Sequence, residues 1–399
     1  MSAPLNPHLA ATFAPPVMEA RRWIEAATFP ADRPLLNLSQ AAPSDPPPAP
    51  LRQAMADIVL DDTTAHLYGP VLGLPALRAQ VAEDWTRAYG GAVHGDQVAI
   101  TSGCNQAFTA TIATLAQAGD TVLLPTPYYF NHKMWLDMVG VGTRLLETGP
   151  DLLPDPEAAA ALIDATTRAI VLVSPNNPGG VEYPAALMAA FRDLARRHDL
   201  ALIVDETYRD FHSQGGAPHD LFRDPDWDDT LIQLYSFSKA YRLTGHRVGA
   251  ICAAPSRLAQ VEKWLDSVTI CPNGLGQRAA LWGMQNLGPW LAEERQEILA
   301  RRAAMERGFA ALPDWTVLGC GAYFAYVAHP FDHRSDAVAQ RLVTAASLLV
   351  LPGTMFGPLC HEGGSGRAEA TVRIAFANAD MDGIDTLFAR LTAVTETGL

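Results

Sequence analysis

A lysine that directly follows an apolar run is the residue best placed to do chemistry in this chain. Residues 231–235 have strand character, and two short polar residues, Ser236 and Ser238, then surround Lys239. Open α/β sheets bind their ligands where the strands end. An amine in such a crevice can lose its proton through desolvation and become a nucleophile able to form a Schiff base.

The sequence holds only three lysines, so the position of each is informative. Lys133 and Lys263 lie in amphipathic, helix-like surroundings, which are typical of solvated surface amines. Ser236 to Lys239 also fits the Ser-x-x-Lys pattern of serine acyltransferases, but that chemistry requires Lys-Thr-Gly and Ser-Asp-Asn motifs that the sequence lacks. We therefore predict that Lys239 is the reactive amine.

Three further polar groups fall where predicted strands end: Ser102-Gly103-Cys104, Asn177 and Asp205. Each alone can be explained as a helix cap, a turn residue or a loop carboxylate. Together they would share the edge of the sheet that binds ligands. A strand that passes through Ser102, Gly103 and Cys104 into a helix predicts an anion site, to which Ser236 and Arg247 would add a hydroxyl and a guanidinium.

The stretch Ser236-Phe-Ser-Lys-Ala-Tyr-Arg-Leu-Thr-Gly-His-Arg247 resembles the lysine signature of the class I/II aminotransferases, which are pyridoxal-phosphate (PLP) enzymes of fold type I. Further resemblance runs from about Asn37 to Arg373, most of the chain. It implies an aminotransferase that moves an amino group between an L-amino acid and a 2-oxo acid through a Schiff base on Lys239. A C–S lyase that uses the same cofactor for β-elimination is the alternative that stays open.

The resemblance also assigns cofactor-binding residues. It implies that the phosphate lies among Ser102, Gly103, Cys104, Ser236 and Arg247, and that Tyr68 reaches it from a partner subunit. A homodimer with shared active sites follows from that assignment.

The ring of PLP has its own implied contacts. Asp205 would face the protonated pyridine nitrogen, which supplies the cation that a buried carboxylate needs. Asn177 and Tyr208 would bond the phenolic oxygen, and Tyr128 would stack on the ring, with the neighbouring Tyr129 as the other choice. The implied catalytic residues are Lys239, Asp205 and Tyr208.

Arg373 is a lone charge within an apolar strand pattern. Alternation alone would place it on the solvent face of the strand, whereas the resemblance implies that it grips the α-carboxylate of the substrate. Asn177 would also contact the substrate, and Ala41 and Ala42 would lie near the same carboxylate. No arginine for a side-chain carboxylate can be assigned, so the sequence does not predict a preference for aspartate.

The elements that would position these residues alternate regularly from Gln97. Strands are predicted at 97–101, 121–125, 143–147, 168–173, 200–204, 231–235 and 247–253, with helices such as 104–118, 157–165 and 185–198 between them. This pattern predicts a doubly wound, mainly parallel seven-stranded sheet. After residue 285 a long helix at 289–310 precedes strand segments at 315–328, 348–351 and 371–377 and helices at 335–346 and 380–393. We expect a large PLP-binding domain over 46–285, and a small α+β domain from 1–45 and 286–399.

Composition excludes several classes of partner. The 399 residues carry a net charge of −14, which argues against nucleic-acid or anionic-membrane surfaces. Five scattered cysteines without a Cys-x-x-Cys pair indicate free thiols in a reducing compartment, and predict no metal site. The start of the chain lacks the pattern of a signal peptide, and no apolar run approaches the length of a membrane span. We therefore expect a cytoplasmic protein.

Overall fold

A computed structural model describes residues 3–43 and 45–399 of the chain. Its strands, in chain order, are β1 (Leu36–Asn37), β2 (Val98–Thr101), β3 (Thr121–Thr126), β4 (Gly142–Glu147), β5 (Thr167–Val173), β6 (Ala201–Asp205), β7 (Leu231–Ser236), β8 (Gly249–Cys252), β9 (Thr316–Gly321), β10 (Phe324–Ala328), β11 (Leu348–Leu349), β12 (Leu351–Pro352) and β13 (Thr371–Ala375). Its α-helices are α1 (Pro7–Ala11), α2 (Pro16–Glu25), α3 (Ala49–Asp61), α4 (Pro75–Tyr89), α5 (Cys104–Ala113), α6 (Phe130–Met138), α7 (Pro156–Leu162), α8 (Ala185–Arg197), α9 (Phe237–Ala240), α10 (Pro255–Thr269), α11 (Gly274–Asn286), α12 (Gly288–Ala310), α13 (Ser335–Ala346), α14 (Arg367–Ala370) and α15 (Met381–Thr397).

The large sheet has seven strands in the order β2-β8-β7-β6-β5-β3-β4, and only β8 runs antiparallel to its neighbours. Each strand overlaps a predicted one to within two residues at either end. The central strands β5, β6 and β7 are apolar along almost their whole length because helices cover both faces of the sheet. The predicted mainly parallel seven-stranded sheet is confirmed.

The topology brings the polar groups to one edge of this sheet. Val173, the last residue of β5, pairs with Asp205, the last residue of β6, and Asp205 pairs with Leu234 of β7. Because β8 is antiparallel to both β7 and β2, β2 points the same way as β7 and ends at the same edge. Segments that are distant in sequence therefore meet where the strands end.

A second sheet is antiparallel, with the order β12-β13-β10-β9. Its β13 carries Arg373, which pairs with Tyr326 of β10 and Leu351 of β12. The predicted strand segment 315–328 is a hairpin of β9 and β10. The short β1 pairs with β11 in parallel, so the N-terminal segment packs with this smaller α+β body.

Several predicted helices differ from the observed ones at their ends. The helix predicted at 104–118 ends at Ala113, and the one predicted at 157–165 ends at Leu162. The predicted helix 289–310 is observed as α12, whereas α1 was not predicted. None of the described helices is long and apolar enough to cross a membrane.

Candidate active site

A cavity of about 170 Å³ lies at the edge where β5, β6 and β7 end. It contains an amine, a carboxylate, a guanidinium and two tyrosines within one enclosure. The residues that line it are Cys104, Asn105, Tyr129, Val173, Asn177, Asp205, Thr207, Tyr208, Ser236, Ser238, Lys239 and Arg247. Among residues 3–43 and 45–399, no group of three or more His, Cys, Asp or Glu side chains is placed to hold a metal ion.

Lys239 lies in the short helix α9, whose N-terminus is capped by the Ser236 side chain. Its Nζ donates a hydrogen bond to the carbonyl of Ala41. Desolvation, together with the nearby positive charges of Arg247 and Arg373, lowers the pKa of Lys239 to about 8. About a tenth of this amine is therefore unprotonated at pH 7, and this is the form that nucleophilic attack requires.

The other two lysines lie in the surroundings expected of structural amines. Lys133 forms an ion pair with Asp137 one helical turn away, and Lys263 donates to Gln260 at the surface. Neither lines the cavity that contains Lys239.

The buried carboxylate of Asp205 is held in one orientation. Its Oδ1 accepts from the backbone N–H of Thr207 at 3.0 Å and from the Thr207 hydroxyl at 2.7 Å, while Oδ2 lies 3.2 Å from His132 Nε2. Burial alone would raise the pKa of Asp205, but the hydrogen bonds from His132 and Thr207 outweigh it and the pKa lies below its usual value. The group therefore remains a carboxylate at neutral pH.

Sequence reasoning missed His132, which is buried in α6 and stacks on Phe108 with 3.9 Å between ring centroids. It follows Tyr129 by three residues, a spacing that places both side chains on one side of a helix. That spacing is the signal in the sequence that could have pointed to His132. Its position beside Asp205 depends on the packing of α6 against the end of β6, which only the folded chain shows.

The anion site differs in part from the expected one. The N–H of Ser102 donates to Gln106 at 2.6 Å and that of Gly103 to the Thr101 carbonyl at 2.8 Å, so neither is free for a ligand. Ser102 and Gly103 do not line the cavity, whereas Cys104, at the start of α5, does. The groups that face the cavity here are Cys104 with Ser236, Ser238 and Arg247, and Ser238 was not predicted.

Gly103 nevertheless has a clear structural role. Its φ of +86° favours glycine, and a Cβ on it would collide with the guanidinium of Arg247. Arg247 also has a positive φ, and its Nη1 donates to the Thr244 carbonyl at 3.1 Å. The glycine therefore allows the guanidinium to lie directly against the loop between β2 and α5.

The choice of Tyr128 for the ring face is corrected by the structure. Tyr129 lines the cavity with Lys239, and its hydroxyl lies 3.4 Å from Asn105 Oδ1. Tyr128 faces a different cavity. Tyr128 and Tyr129 directly precede α6, and the side chains of these two consecutive residues point in different directions.

Arg373 is buried, although strand alternation alone would have placed it in solvent. Its Nη1 donates to Asn177 Oδ1 at 2.8 Å and its Nη2 donates to the Ser39 carbonyl. Its guanidinium lies 4.9 Å from the ring of Phe324 and 4.8 Å from that of Phe356. Burial lowers the pKa of Arg373 to about 10, so it is charged at neutral pH. Its Nε has no hydrogen-bond partner among the described residues.

The remaining predicted residues divide into those inside and those outside the cavity. Asn177 and Tyr208 line it, and Ala41 reaches it through the carbonyl that accepts from Lys239. Ala42 is adjacent in the chain and bonds to the Gln40 carbonyl through its N–H. Tyr68 is 81% exposed and does not line this chain's cavity.

Comparison with known proteins decides the family. The family model for aminotransferase class I and II matches residues 33–391, which is most of the chain. The chain belongs to the class I and II aminotransferases. As an aminotransferase it moves an amino group between an amino acid and a 2-oxo acid. The family uses PLP as its cofactor.

Individual relatives agree with this assignment. An aromatic aminotransferase of Arabidopsis thaliana is 29% identical over 333 residues, which cover 81% of this chain and 82% of the relative. An arginine–pyruvate transaminase of Pseudomonas aeruginosa is 31% identical over 330 residues, covering 81% and 83%. The crystal structure of an aminotransferase from Mycobacterium tuberculosis matches with a TM-score of 0.87 at 25% identity, over 100% of both chains. The predicted fold type I is confirmed.

The residues in the aminotransferase cavity fit PLP. Lys239 would supply an amine for the aldehyde, and Arg247 with Ser236 and Ser238 would supply charge and hydroxyls for the phosphate. Asp205, held ionised, would supply a carboxylate for a pyridinium nitrogen. The half-buried ring of Tyr129 provides an aromatic surface beside them.

Proposed function

We propose that this aminotransferase binds PLP in the cavity that contains Lys239 and attaches it through the Lys239 amine. The observation that carries the proposal is the burial of this amine in one cavity with Asp205 and Arg247, where desolvation lowers its pKa to about 8. Arg247, Ser236, Ser238 and the start of α5 at Cys104 would hold the phosphate.

PLP supplies an electron sink for the charge left when a proton leaves the substrate Cα. Asp205 would keep the ring nitrogen protonated, and His132 and Thr207 keep Asp205 ionised and fixed. Asn177 and Tyr208 would bond the phenolic oxygen, and Tyr129 would cover one face of the ring.

The same lysine is placed to move protons. As a free amine with a pKa near 8, Lys239 can accept a proton from the substrate Cα and return it. Arg373 would bind the α-carboxylate, because its guanidinium is fixed by Asn177 and Ser39 and retains an unpartnered Nε–H. The segment at Ala41 and Ala42 would border that carboxylate.

We further propose a homodimer in which Tyr68 of one subunit completes the phosphate site of the other. Tyr68 is 81% exposed, and the neighbouring Leu67 and Leu60 are 67% and 78% exposed, an unusual surface for a single subunit. The large PLP-binding domain would span 46–285, and the small domain 1–45 and 286–399. Five free cysteines support a reducing, cytoplasmic location.

The test of the attachment site uses the scarcity of lysine. Borohydride reduction of the PLP-loaded enzyme fixes the cofactor on its lysine and blocks trypsin there. A label on Lys239 yields residues 224–242, whereas labels on Lys133 and Lys263 yield 88–144 and 258–278. We expect the label on 224–242 alone, and a label on either other peptide would overturn the assignment.

The reaction itself is tested by its products. An amino donor added to the loaded enzyme without an acceptor should give a 2-oxo acid and pyridoxamine phosphate in equal amounts. Release of pyruvate and ammonia from a β-substituted donor, with the cofactor left as PLP, would indicate elimination instead.

A further inference from the structure

A second and larger cavity, of about 780 Å³, lies on the other side of the wall that carries Tyr129. It is bounded by α1, α6, the start of β4 and the loop at 354–362, and it shares no lining residue with the cavity that contains Lys239. Its volume is within the range of small-molecule binding sites.

Tyr128 supplies a hydrogen-bonding group without a partner in this cavity. The side chain lines the cavity and only 8% of the residue is exposed, yet its hydroxyl makes no hydrogen bond with any described residue. Burial raises the pKa of Tyr128, and the carboxylates of Glu362 and Asp137, which line the same cavity, raise it further. This hydroxyl is therefore free to form a hydrogen bond with a guest.

The charges around that hydroxyl are unbalanced. Asp137 is neutralised by Lys133, whose Nζ donates to Asp137 Oδ2 at 2.7 Å. Glu362 accepts only the backbone N–H of Leu359, at 2.9 Å, and forms no salt bridge among the described residues. The other basic residues that line the cavity are Lys133 and His8, and within the described part of the chain neither forms a salt bridge with Glu362.

The rest of the wall is largely apolar, with side chains that include Phe13, Val141, Leu145, Met355 and Leu359. We propose that this cavity binds an organic cation, a protonated amine joined to an apolar body, with the ammonium group between the Tyr128 hydroxyl and the Glu362 carboxylate. Apolar surfaces with a few placed polar groups are typical of such sites.

The bound cation would touch the outer wall of the active site without entering it. The N–H of Tyr128 donates to the Phe356 carbonyl at 2.7 Å, and the ring of Phe356 packs against Arg373. Tyr129, the next residue, faces Lys239.

The probe is N,N-dimethylphenethylamine, because a tertiary amine keeps one N–H when protonated but cannot condense with the aldehyde of PLP. Isothermal titration of the PLP-loaded enzyme should show saturable binding with a Kd below about 1 mM. The neutral analogue 2-phenylethanol should bind at least about tenfold more weakly, since it brings no charge to Glu362.

Two substitutions test the two ends of the ammonium site. Tyr128→Phe and Glu362→Gln should each weaken binding of the amine by about tenfold or more. Tyr183→Phe, at a buried tyrosine outside the cavity, and Glu157→Gln, at an exposed glutamate, are the matched controls and should leave it unchanged.

The proposal is wrong if the amine does not bind, if the alcohol binds as well as the amine, or if binding survives Glu362→Gln at full strength. Glu362 is exposed at the mouth of the cavity, so its substitution decides the question even if Tyr128→Phe does not fold.

Discussion

Asp205 and Glu206 are consecutive in the chain, but their carboxylates point to opposite sides of the large sheet. Asp205 lies in the active-site cavity, 3.2 Å from His132. Glu206 is buried on the far side, where it accepts from the Tyr89 hydroxyl at 2.6 Å and lies 3.2 Å from His219. Two carboxylate–histidine pairs therefore fix the end of β6 from both faces.

The pair on the far side belongs to a larger buried network. Gln233 of β7 also donates to Glu206, at 2.8 Å. Arg209 stacks over Trp85 at 4.0 Å and over Tyr89 at 4.7 Å. These contacts support the segment that carries Asp205 and Tyr208 without touching the cavity, so we expect them to govern stability.

Glu206→Gln should destabilise the protein in a pH-dependent way. Burial would raise the pKa of Glu206, but His219 and Arg209 outweigh it and the pKa falls to about 2. A carboxylate with a depressed pKa stabilises the fold at pH values above its ordinary pKa of about 4.5. This stabilisation is lost as the pH falls towards 2. We expect the substitution to lower the free energy of unfolding by about 3 kcal/mol at pH 7, and by less than that at pH 3 to 4. Urea unfolding at each pH measures it, with Glu157→Gln as control; an equal loss at both pH values would contradict it.

Attachment of PLP to the apo-protein should depend on pH through Lys239. Because its pKa is lowered from 10.5 to about 8, the fraction of unprotonated amine rises through pH 8 and is nearly complete at pH 9 to 10. Stopped-flow absorbance should give a rate with a midpoint near pH 8. Nα-acetyl-lysine is the control, and its rate should still rise at pH 10. A parallel rise for both amines would show that the cavity does not activate Lys239.

Asp205→Asn should separate cofactor binding from catalysis. The proposed phosphate site is unchanged in this variant, so PLP should remain attached to Lys239 after gel filtration. A neutral amide cannot hold the ring nitrogen protonated, so the half-reaction with an amino donor should slow by several orders of magnitude, each tenfold being about 1.4 kcal/mol of barrier. Single-turnover spectra measure that rate. A near-normal rate with PLP bound would remove Asp205 from the catalytic residues.

Arg373→Lys should affect carboxylate recognition in particular. Lysine keeps the charge but loses the planar group that is fixed between Phe324 and Phe356. The KM for amino acids should rise by about tenfold to a hundredfold, whereas reaction with simple amines should change little. Arg390→Lys is the control, because that arginine binds main-chain carbonyls outside the cavity. Equal effects on amino acids and amines would place Arg373 outside the substrate site.

Tyr68→Phe tests the shared site. If Tyr68 of one subunit bonds the phosphate in the other, its loss should weaken PLP retention by about 1.5–3 kcal/mol, the value of a hydrogen bond to a charged group. Equilibrium dialysis measures retention, and light scattering on the same sample gives the mass. A fully active monomer would defeat the proposed arrangement.

The sequence was sufficient to predict the large sheet because its strands are long apolar runs. The runs that became β5, β6 and β7 are unambiguous, and parallel strands necessarily bring their carboxyl ends together. That is why Asn177, Asp205 and Lys239 could be assigned to one site from the amino-acid sequence alone.

What could not be predicted depends on packing between segments. Tyr128 and Tyr129 are chemically identical, and only the docking of α6 determines which one faces Lys239. The N–H groups of Ser102 and Gly103 were expected to bind an anion, but local hydrogen bonds to Gln106 and Thr101 already use them. His132 joins the site only because α6 packs against the end of β6.

The segment from Ser39 to Ala41 has a consequence for how the chain folds during synthesis. Its three successive carbonyls accept hydrogen bonds from Arg373, Asn378 and Lys239, which lie 334, 338 and 198 residues further along. Contacts across such distances in the chain form slowly because closing long loops costs entropy. On the ribosome this segment is made 334 and 338 residues before Arg373 and Asn378, so these two hydrogen bonds cannot form until those residues have also emerged. The pairing of Arg373 with Ser39 therefore forms only after segments 334 residues apart have come together.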